Sequence, residues 1–186
     1  MTTPAQKALV AAFNELVLER PFDEIHVANI IKRADVSRST FYEHFQGKEA
    51  LLRYSLDAVL IPIAEVCAGE SGAVNEDVGE LNSERLRFIL DHFLEVKPII
   101  DLYFRSPLFE IVETQLSELI EQRLSSDRRK MRLVESDELA CRQIAAATLG
   151  LIRAWLSESS TSDSEEIAGC IITSSRSLRG VYWDCS

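Results

Sequence analysis

The stretch from residue 26 to residue 48 constrains the fold of this chain more than any other part of its sequence. It reads HVANIIKRADVSRSTFYEHFQGK and predicts two short helices, at about 27–33 and 38–44, joined by a tight turn. Asp35 falls in the turn, where a residue that accepts the left-handed backbone region is needed. Ser37 is a suitable N-cap for the second helix. The stretch therefore predicts a helix–turn–helix held on an apolar scaffold.

The remaining residues also show helical periodicity and no strand pattern. Pro62 predicts a kink within a long helix, and the Gly-, Ser- and acid-rich residues 69–84 predict a loop. The sequence therefore predicts an all-α chain with a three-helix domain over residues 1–53 and a larger helical domain over 54–186. The other helices are expected at about 5–18, 48–67, 84–96, 98–105, 107–124, from 136 onward, and 164–182.

Composition and charge exclude several classes of protein. The 186 residues are 46% hydrophobic, which is enough for a substantial core, yet no apolar run approaches the roughly 18–20 residues that span a bilayer. The four cysteines are scattered without metal-binding spacing, so we expect a reduced cytoplasmic protein with no metal and no cofactor. The histidines are dispersed and no nucleophile motif or Gly-rich phosphate loop occurs, so an enzyme is not expected.

The net charge of −10 lies entirely in residues 54–186, because residues 1–53 carry seven basic and seven acidic side chains. A sequence pI near 4.8 argues against a protein that coats nucleic acid without specificity. This low pI is compatible with a small docking surface on the N-terminal segment, whose net charge is zero. A denser basic cluster, with Arg123, Arg128, Arg129, Lys130 and Arg132, is flanked by acids and is predicted to be a solvated surface.

Hydroxyl, basic and aromatic side chains crowd the second helix of the motif. Hydroxyls and phenols bond phosphate oxygens, and Arg38 could read a guanine edge or a phosphate. A helix with these side chains is suited to the major groove of double-stranded DNA. The candidate DNA-binding residues are Ser37, Arg38, Ser39, Thr40, Tyr42, His44 and Lys48.

Lys48 stands at the start of the next helix, where a cation opposes the helix macrodipole. The same position can complete an anion site with the free amides of the first turn, which predicts a phosphate contact. The alternative is a solvated lysine offset by Glu49.

Residues 5–60 resemble the N-terminal DNA-binding domain of the TetR/AcrR family of bacterial regulators. The likeness is densest in VSRSTFYEHF and the following KEALL, and it covers under a third of the chain. It implies a homodimer that reads a palindromic operator with the helix at 38–44, and a C-terminal domain whose small-molecule ligand loosens DNA binding. The resemblance also implies that Ser39 and Thr40 meet bases or phosphates, that Tyr42, His44 and Lys48 hold the phosphate backbone, and that Arg38 does either.

The first helix of the motif departs from the family pattern at four positions. His26 replaces a common Thr and so removes an N-cap hydroxyl, and Ala28 replaces a residue that is often polar or basic. Ile31 stands where Ala is frequent, and Asp35 adds a negative charge near the DNA side. These departures predict weaker DNA binding. They motivate the alternative that the chain is a TetR-like ligand- or protein-binding dimer with weak or lost DNA binding.

Candidate effector-binding residues lie in the C-terminal domain, where a ligand cavity would need a few polar groups in an apolar lining. Helical spacing places Gln115 among Leu108, Ile111 and Leu119, and His92 beside an apolar face. The alternative is that these are ordinary core positions. The candidates for contact with an unknown small-molecule effector are His92, Tyr103, Phe104 and Gln115.

The last two helices are apolar around most of their circumference, which suggests self-association through a four-helix interface. Cys141 and Cys170 lie on these helices and are more simply interpreted as small core residues than as a redox pair. The candidate interface residues are Leu149, Ile152, Trp155, Ile171 and Leu178. Together these observations predict a ligand-responsive, dimeric, DNA-binding regulator, most simply a repressor.

Overall fold

The structure is a computed structural model that describes residues 3–69, 76–104, 108–126, 132–133, 137–157 and 161–184. The helices, in chain order, are α1 (Pro4–Glu19), α2 (Val27–Ala34), α3 (Arg38–His44), α4 (Lys48–Ala68), α5 (Glu76–Glu95), α6 (Lys97–Tyr103), α7 (Leu108–Ser126), α8 (Asp137–Trp155) and α9 (Ser164–Tyr182). A single 3₁₀ turn, Phe22–Glu24, joins α1 to α2. The prediction of an all-α fold is confirmed, and no described helix is long and apolar enough to cross a membrane.

Two short strands that the sequence did not predict accompany the helices. β1 (Arg132–Leu133) pairs antiparallel with β2 (Trp183–Asp184), so that Arg132 lies opposite Asp184 and Leu133 opposite Trp183. Strands of two residues show no alternation of polar and apolar residues, which is why periodicity misses them.

The chain divides into two compact units. Unit 1 comprises Met1–Ala58 with Pro98–Leu108, and unit 2 comprises Val59–Lys97 with Phe109–Ser186. The helix α4 begins in unit 1 and ends in unit 2. The predicted domain boundary after residue 53 falls inside this helix.

Pro62 lies inside α4 without ending the helix. Because proline has no backbone N–H, the carbonyl of Ala58 cannot accept the usual hydrogen bond from the residue four positions later. Ala58 is also the residue at which the first segment of unit 1 ends. The kink that the sequence predicts here stays a prediction.

In unit 1, the helices α1, α2 and α3 pack around a small aromatic and aliphatic core. The Phe13 and Phe22 rings meet edge to face with centroids 6.1 Å apart, and Phe41 lies 6.0 Å from Phe45. The other fully buried side chains of this core are Leu9, Ile25, Ile30, Leu51 and Leu52. This core is the apolar scaffold that the sequence predicts beneath the helix–turn–helix.

Local side-chain chemistry sets the helix ends in unit 1. Thr3 caps α1, since its Oγ1 accepts a hydrogen bond from the Gln6 amide at 3.2 Å while Gln6 Oε1 accepts one from the Thr3 amide at 2.8 Å. Asp35 ends α2 in the left-handed region, with φ 51° and ψ 47°. Ser37 Oγ accepts a hydrogen bond from the Thr40 amide at 3.0 Å and so caps α3. The predictions for Asp35 and Ser37 are therefore confirmed.

Unit 2 buries the inner faces of its helices, with α9 packed against both α5 and α8. The predicted loop over 69–84 is wrong for residues 76–84, which belong to α5; residues 70–75 lie outside the described residues. Gly79 and Ser83 suggested a loop, but Glu and Leu are strong helix formers, and the burial of Leu86 and Leu90 supports the same helix further along. The predicted cap at Ser136 also lies outside the described residues.

Candidate nucleic-acid interface

The short helix α3 separates an apolar inner face from a polar outer face. Phe41 is fully buried on the inner side, whereas Ser37, Arg38 and Ser39 are exposed. Tyr42 keeps 47% of its surface exposed, although it is a large aromatic residue. The outer face therefore offers hydroxyls, a guanidinium and a phenol to a partner in solution.

The hydroxyl groups at the start of α3 form one local network. Ser37 Oγ lies 2.7 Å from Ser39 Oγ and 2.8 Å from Thr40 Oγ1, in addition to its capping bond. Hydroxyl rotors can turn, so these groups can exchange mutual hydrogen bonds for bonds to phosphate oxygens. The predicted contacts of Ser37, Ser39 and Thr40 with DNA stay predictions.

Arg38 and Tyr42 form a stacked pair on the exposed face. The Arg38 guanidinium carbon lies 5.5 Å from the centre of the Tyr42 ring, within the range of a cation–π interaction. The Tyr42 ring in turn meets the buried Phe41 ring edge to face at 5.3 Å. The guanidinium is thus supported by the core through one aromatic side chain.

His44 lies at the end of α3 and is half-buried. Its Nε2 is 3.5 Å from Oγ1 of Thr3, the cap of α1. The His44 ring therefore faces the first turn of α1 as well as solvent. No local sequence pattern indicates this contact, because the two residues are 41 positions apart.

Lys48 occupies a different environment from the one predicted. Its ammonium donates to the carbonyl oxygen of Phe22 at 2.8 Å and lies 3.4 Å from that of Asp23. It also lies 4.4 Å from the centre of the Phe22 ring. In this structure the cation is engaged by backbone carbonyls of the same unit, and the predicted phosphate contact of Lys48 stays a prediction.

The supporting helix α2 is held by side chains that the sequence analysis missed. Arg33 Nη2 donates to Glu19 Oε2 at 2.8 Å and Nη1 to Glu15 Oε2 at 3.0 Å, so one guanidinium ties α2 to α1. The hydrogen bond from Arg33 lowers the pKa of Glu19 below its ordinary value, and the same carboxylates raise the pKa of Arg33. Asn29 Oδ1 accepts a hydrogen bond from the His26 amide at 3.0 Å, which caps α2 where the family's usual hydroxyl is missing.

The four candidate effector residues do not form one group in either unit. Tyr103 and Phe104 belong to unit 1, where the buried Tyr103 hydroxyl donates to Asn14 Oδ1 at 3.3 Å. His92 and Gln115 belong to unit 2, but His92 is exposed and lies 3.2 Å from Glu95, whereas Gln115 is buried. None of the four lines the open depression of about 390 Å³ that unit 2 forms around Trp155.

Four of the five predicted interface residues are part of the core of the single chain. Leu149, Ile152, Trp155 and Ile171 are buried to 6% exposure or less, and only Leu178 is partly exposed. The buried four have almost no surface to offer a second chain in this structure, and the predicted interface stays a prediction. The apolar excess of α8 and α9 serves to bury both helices within their own unit.

Several small residues lie on the outer stripes of α8 and α9, beside exposed Arg142, Gln143, Arg153 and Arg176. An added Cβ at Gly150 or Gly169 would meet no atom within 4 Å in the single chain. The other small exposed residues on these helices are Ala146, Ala154, Thr173, Ser177 and Gly180. Among the described residues, no group of His, Cys, Asp and Glu side chains is arranged to hold a metal ion.

Comparison with known proteins finds a family whose sequence pattern matches the described motif. Residues 9–54 match the sequence pattern of the bacterial regulatory proteins of the tetR family. The transcriptional regulator EthR of Mycobacterium tuberculosis is 42% identical over 53 residues, which are 28% of this chain and 24% of EthR. DhaS, the dhaKLM operon transcriptional activator of Lactococcus lactis, is 37% identical over 49 residues, or 26% of each protein. The match thus spans about a quarter of each curated relative.

Solved structures resemble nearly the whole chain. The operon activator DhaS superposes with a TM-score of 0.53 at 20% identity and covers 97% of this chain and 99% of its own. NalD, the secondary repressor of the MexAB-OprM efflux pump of Pseudomonas aeruginosa, has a TM-score of 0.55 at 24% identity and covers 94% and 96%. A complex of SmeT with triclosan has a TM-score of 0.52 at 17% identity and covers 98% and 93%. At these identities the likeness shows the fold.

Proposed function

We propose that the chain is a ligand-responsive transcriptional repressor of the TetR family, on the premise that residues 9–54 match the sequence pattern of that family's regulatory proteins. As a homodimer it binds a palindromic operator, and each α3 enters a major groove. A small molecule bound in the C-terminal region releases the operator, because it stabilises a state that binds DNA less well.

The observation that carries this proposal is the two-sided helix α3. Phe41 fixes its inner face in the core, and Arg38, Ser39 and Tyr42 stand exposed on the outside. A preorganised helix loses little conformational freedom on binding, and its side chains have the chemistry that recognises base edges and phosphates. The balanced charge of residues 1–53 fits a confined docking surface rather than nonspecific binding.

The test of DNA binding is selection from a pool of duplexes with a randomised centre, using the full-length protein. We expect enrichment of inverted half-sites separated by about one helical turn, or by a multiple of it. Enrichment of no sequence at low salt would overturn the proposal. It would favour the alternative of a TetR-like dimer that binds a ligand or a protein and has lost DNA binding.

The dimer is proposed to form through the outer stripes of α8 and α9. Glycine within a helix costs roughly 1 kcal/mol relative to alanine, yet at Gly150 the single chain leaves space for a side chain. Close approach of a second copy would explain why the glycine is tolerated there. In sedimentation experiments we expect a dimer for the wild type and for Gly150→Ala, and a monomer for Gly150→Arg. A dimeric Gly150→Arg variant would exclude this face.

The sign of regulation can be tested in cells that carry a reporter behind the selected operator. Expression of the protein should lower reporter output. Variants that no longer bind the operator should leave reporter output high. DhaS is named an activator and NalD a repressor, so both signs occur among the similar proteins. Higher reporter output in the presence of the protein would make this chain an activator.

A further inference from the structure

The Lys48 ammonium joins two connecting segments that lie far apart in the sequence. It is the first residue of α4, and it binds the carbonyl of Phe22 at 2.8 Å in the turn between α1 and α2. The carbonyl of Asp23 lies 3.4 Å from the same nitrogen. The chain between the two segments includes the entire helix–turn–helix, since 26 positions separate Lys48 from Phe22.

The site is built to hold a cation. The face of the Phe22 ring lies 4.4 Å from the ammonium, and that ring is buried against Phe13. The Phe22 carbonyl also accepts the hydrogen bond from the Ile25 amide at 3.1 Å, which closes the 3₁₀ turn. Partial negative charge from two carbonyls and a ring face offsets the unfavourable position of a lysine at a helix N-terminus.

The contact restricts the position of α3. This helix is connected to α2 through the left-handed turn at Asp35 and to α4 through Gly47. With Lys48 attached to the turn that precedes α2, both ends of the reading helix are tied to the same part of unit 1. Loss of the attachment would leave α3 fixed at its start but less restrained at its end.

We propose that Lys48 is a positioning residue for DNA recognition, which holds α3 in its reading orientation through the Phe22–Glu24 turn instead of contacting phosphate. This inference rests on the proposed function as far as DNA is concerned. The contact between Lys48 and the Phe22–Glu24 turn, called the Lys48 clamp below, is a property of the free protein and can be tested without DNA.

The DNA experiment compares the wild type with Lys48→Met, Lys48→Arg and Lys7→Met at several salt concentrations. Met retains the apolar stem of the side chain, Arg retains a cation for the carbonyls and the ring, and Lys7→Met controls for the loss of one positive charge from an exposed position. The probes are the duplex selected by the wild type and a random duplex of equal length.

For a positioning residue, Lys48→Met should weaken binding to the selected duplex about tenfold, the factor expected when α3 occupies its reading orientation only about a tenth of the time. Binding to the random duplex and the slope of log K against log salt should stay as in the wild type, and Lys48→Arg should recover most of the loss. A slope smaller by about one unit would make Lys48 a phosphate contact and overturn the proposal. If Lys48→Met has unchanged affinity for the selected duplex but a lower Tm, Lys48 contributes only to stability, and the proposal is overturned as well.

Amide hydrogen exchange of the free protein provides the second measurement. In Lys48→Met the Ile25 amide should exchange faster than in the wild type, while the amides in the middle of α1 keep their protection. Equal exchange at Ile25 in both proteins would show that there is no Lys48 clamp. If the wild type selects no duplex at all, the proposed function fails, and the exchange measurement still decides whether Lys48 holds the turn.

Discussion

Asp35 shows how one residue of the motif combines a conformational cost with an electrostatic one. It is exposed and adopts φ 51°, a region that costs an L-residue roughly 1–2 kcal/mol and glycine almost nothing. Its carboxylate also lies at the turn that leads into the reading helix, where phosphates would approach. The two effects can be separated by substitution.

Asp35→Gly is expected to raise the free energy of unfolding by about 0.5 kcal/mol, because the relief of the left-handed strain exceeds the entropy that glycine adds to the unfolded chain. Asp35→Ala keeps the Cβ and should lower the same quantity by about 1 kcal/mol. Urea unfolding of the three proteins measures the difference. An Ala variant as stable as the Gly variant would show that the backbone is not strained at this residue.

Asp35→Asn removes the charge and retains a side chain that accepts the left-handed region. Its affinity for DNA should rise at low salt, and the advantage should shrink as salt screens the phosphates. Glu24→Gln, also exposed but in the turn before α2, is the matched loss of one negative charge. Equal gains from both variants would mean that only net charge matters.

Tyr42 has two separable parts, a ring that supports Arg38 and a hydroxyl that is predicted to bond phosphate. Tyr42→Phe keeps the ring and should weaken binding roughly tenfold across all duplexes, as expected for the loss of one hydrogen bond to a charged acceptor. Because no charge is removed, the salt dependence should not change. Tyr42→Leu should additionally reduce discrimination at the base read by Arg38. Unaltered discrimination in that variant would show that the stacked pair does not orient the guanidinium.

At the level of elements, the link between α1 and α2 depends on ionised carboxylates. Arg33 donates to both Glu15 and Glu19, and its hydrogen bond lowers the pKa of Glu19. A lowered pKa in the folded state means that the stabilisation is present above the ordinary value of 4.5 and is lost as the pH falls through the lower folded value. Added salt should weaken the same link, since the side chains are partly exposed.

Glu19→Gln should therefore reduce the free energy of unfolding at pH 7, and the reduction should shrink at an acidic pH below the lowered pKa of Glu19, where the wild-type carboxylate is protonated as well. Denaturant titrations at the two pH values give the difference. Glu43→Gln, an exposed carboxylate on α3, serves as the control. A difference of the same size at both pH values would exclude the ion pair as its cause.

The cysteines distinguish the inner and outer faces of the unit 2 helices. Cys67 and Cys141 are buried, Cys170 on α9 is exposed, and burial raises the pKa of the Cys67 thiol. Brief treatment of the native protein with iodoacetamide should label Cys170 and spare Cys67 and Cys141, because access is restricted at both buried positions and burial also disfavours the Cys67 thiolate. Peptide mapping identifies the labelled sites, and unfolding in urea should expose them all. Labelling of Cys67 in the native state would contradict the packing of α4 against α8.

What the sequence could predict at this level was local in character. The turn at Asp35 and the cap at Ser37 depend on neighbouring residues, and both are found as expected. The partners of Lys48 and Arg33 lie 14 to 26 positions away, so no local pattern reveals them. The apolar surface of α8 and α9 could have faced either a core or a second chain, and only packing decides between the two.

On the scale of the whole molecule, α4 is the element that both units share. Its last turns are held within unit 2 by side chains from other helices: Arg85 and Arg123 each approach the Glu65 carboxylate at 3.1 Å, and Arg179 donates to the Cys67 carbonyl. The Cys67 thiol lies 3.3 Å from the Thr148 hydroxyl. The first turn of α4 is held in unit 1 by Lys48.

Pro62 gives this helix a preferred place to bend. The backbone hydrogen bonds of an α-helix resist bending. The hydrogen bond between residues 58 and 62 is missing because proline has no backbone N–H to donate. We therefore expect α4 to bend most readily next to Ala58, where the first segment of unit 1 ends. Pro62→Ala would restore the backbone hydrogen bond between residues 58 and 62 and make the stiffness of α4 uniform along its length. We expect this variant to be more stable to urea. On the proposed function, it should also need a higher effector concentration to release DNA. An unaltered effector response would show that bending of α4 near Pro62 plays no part in release.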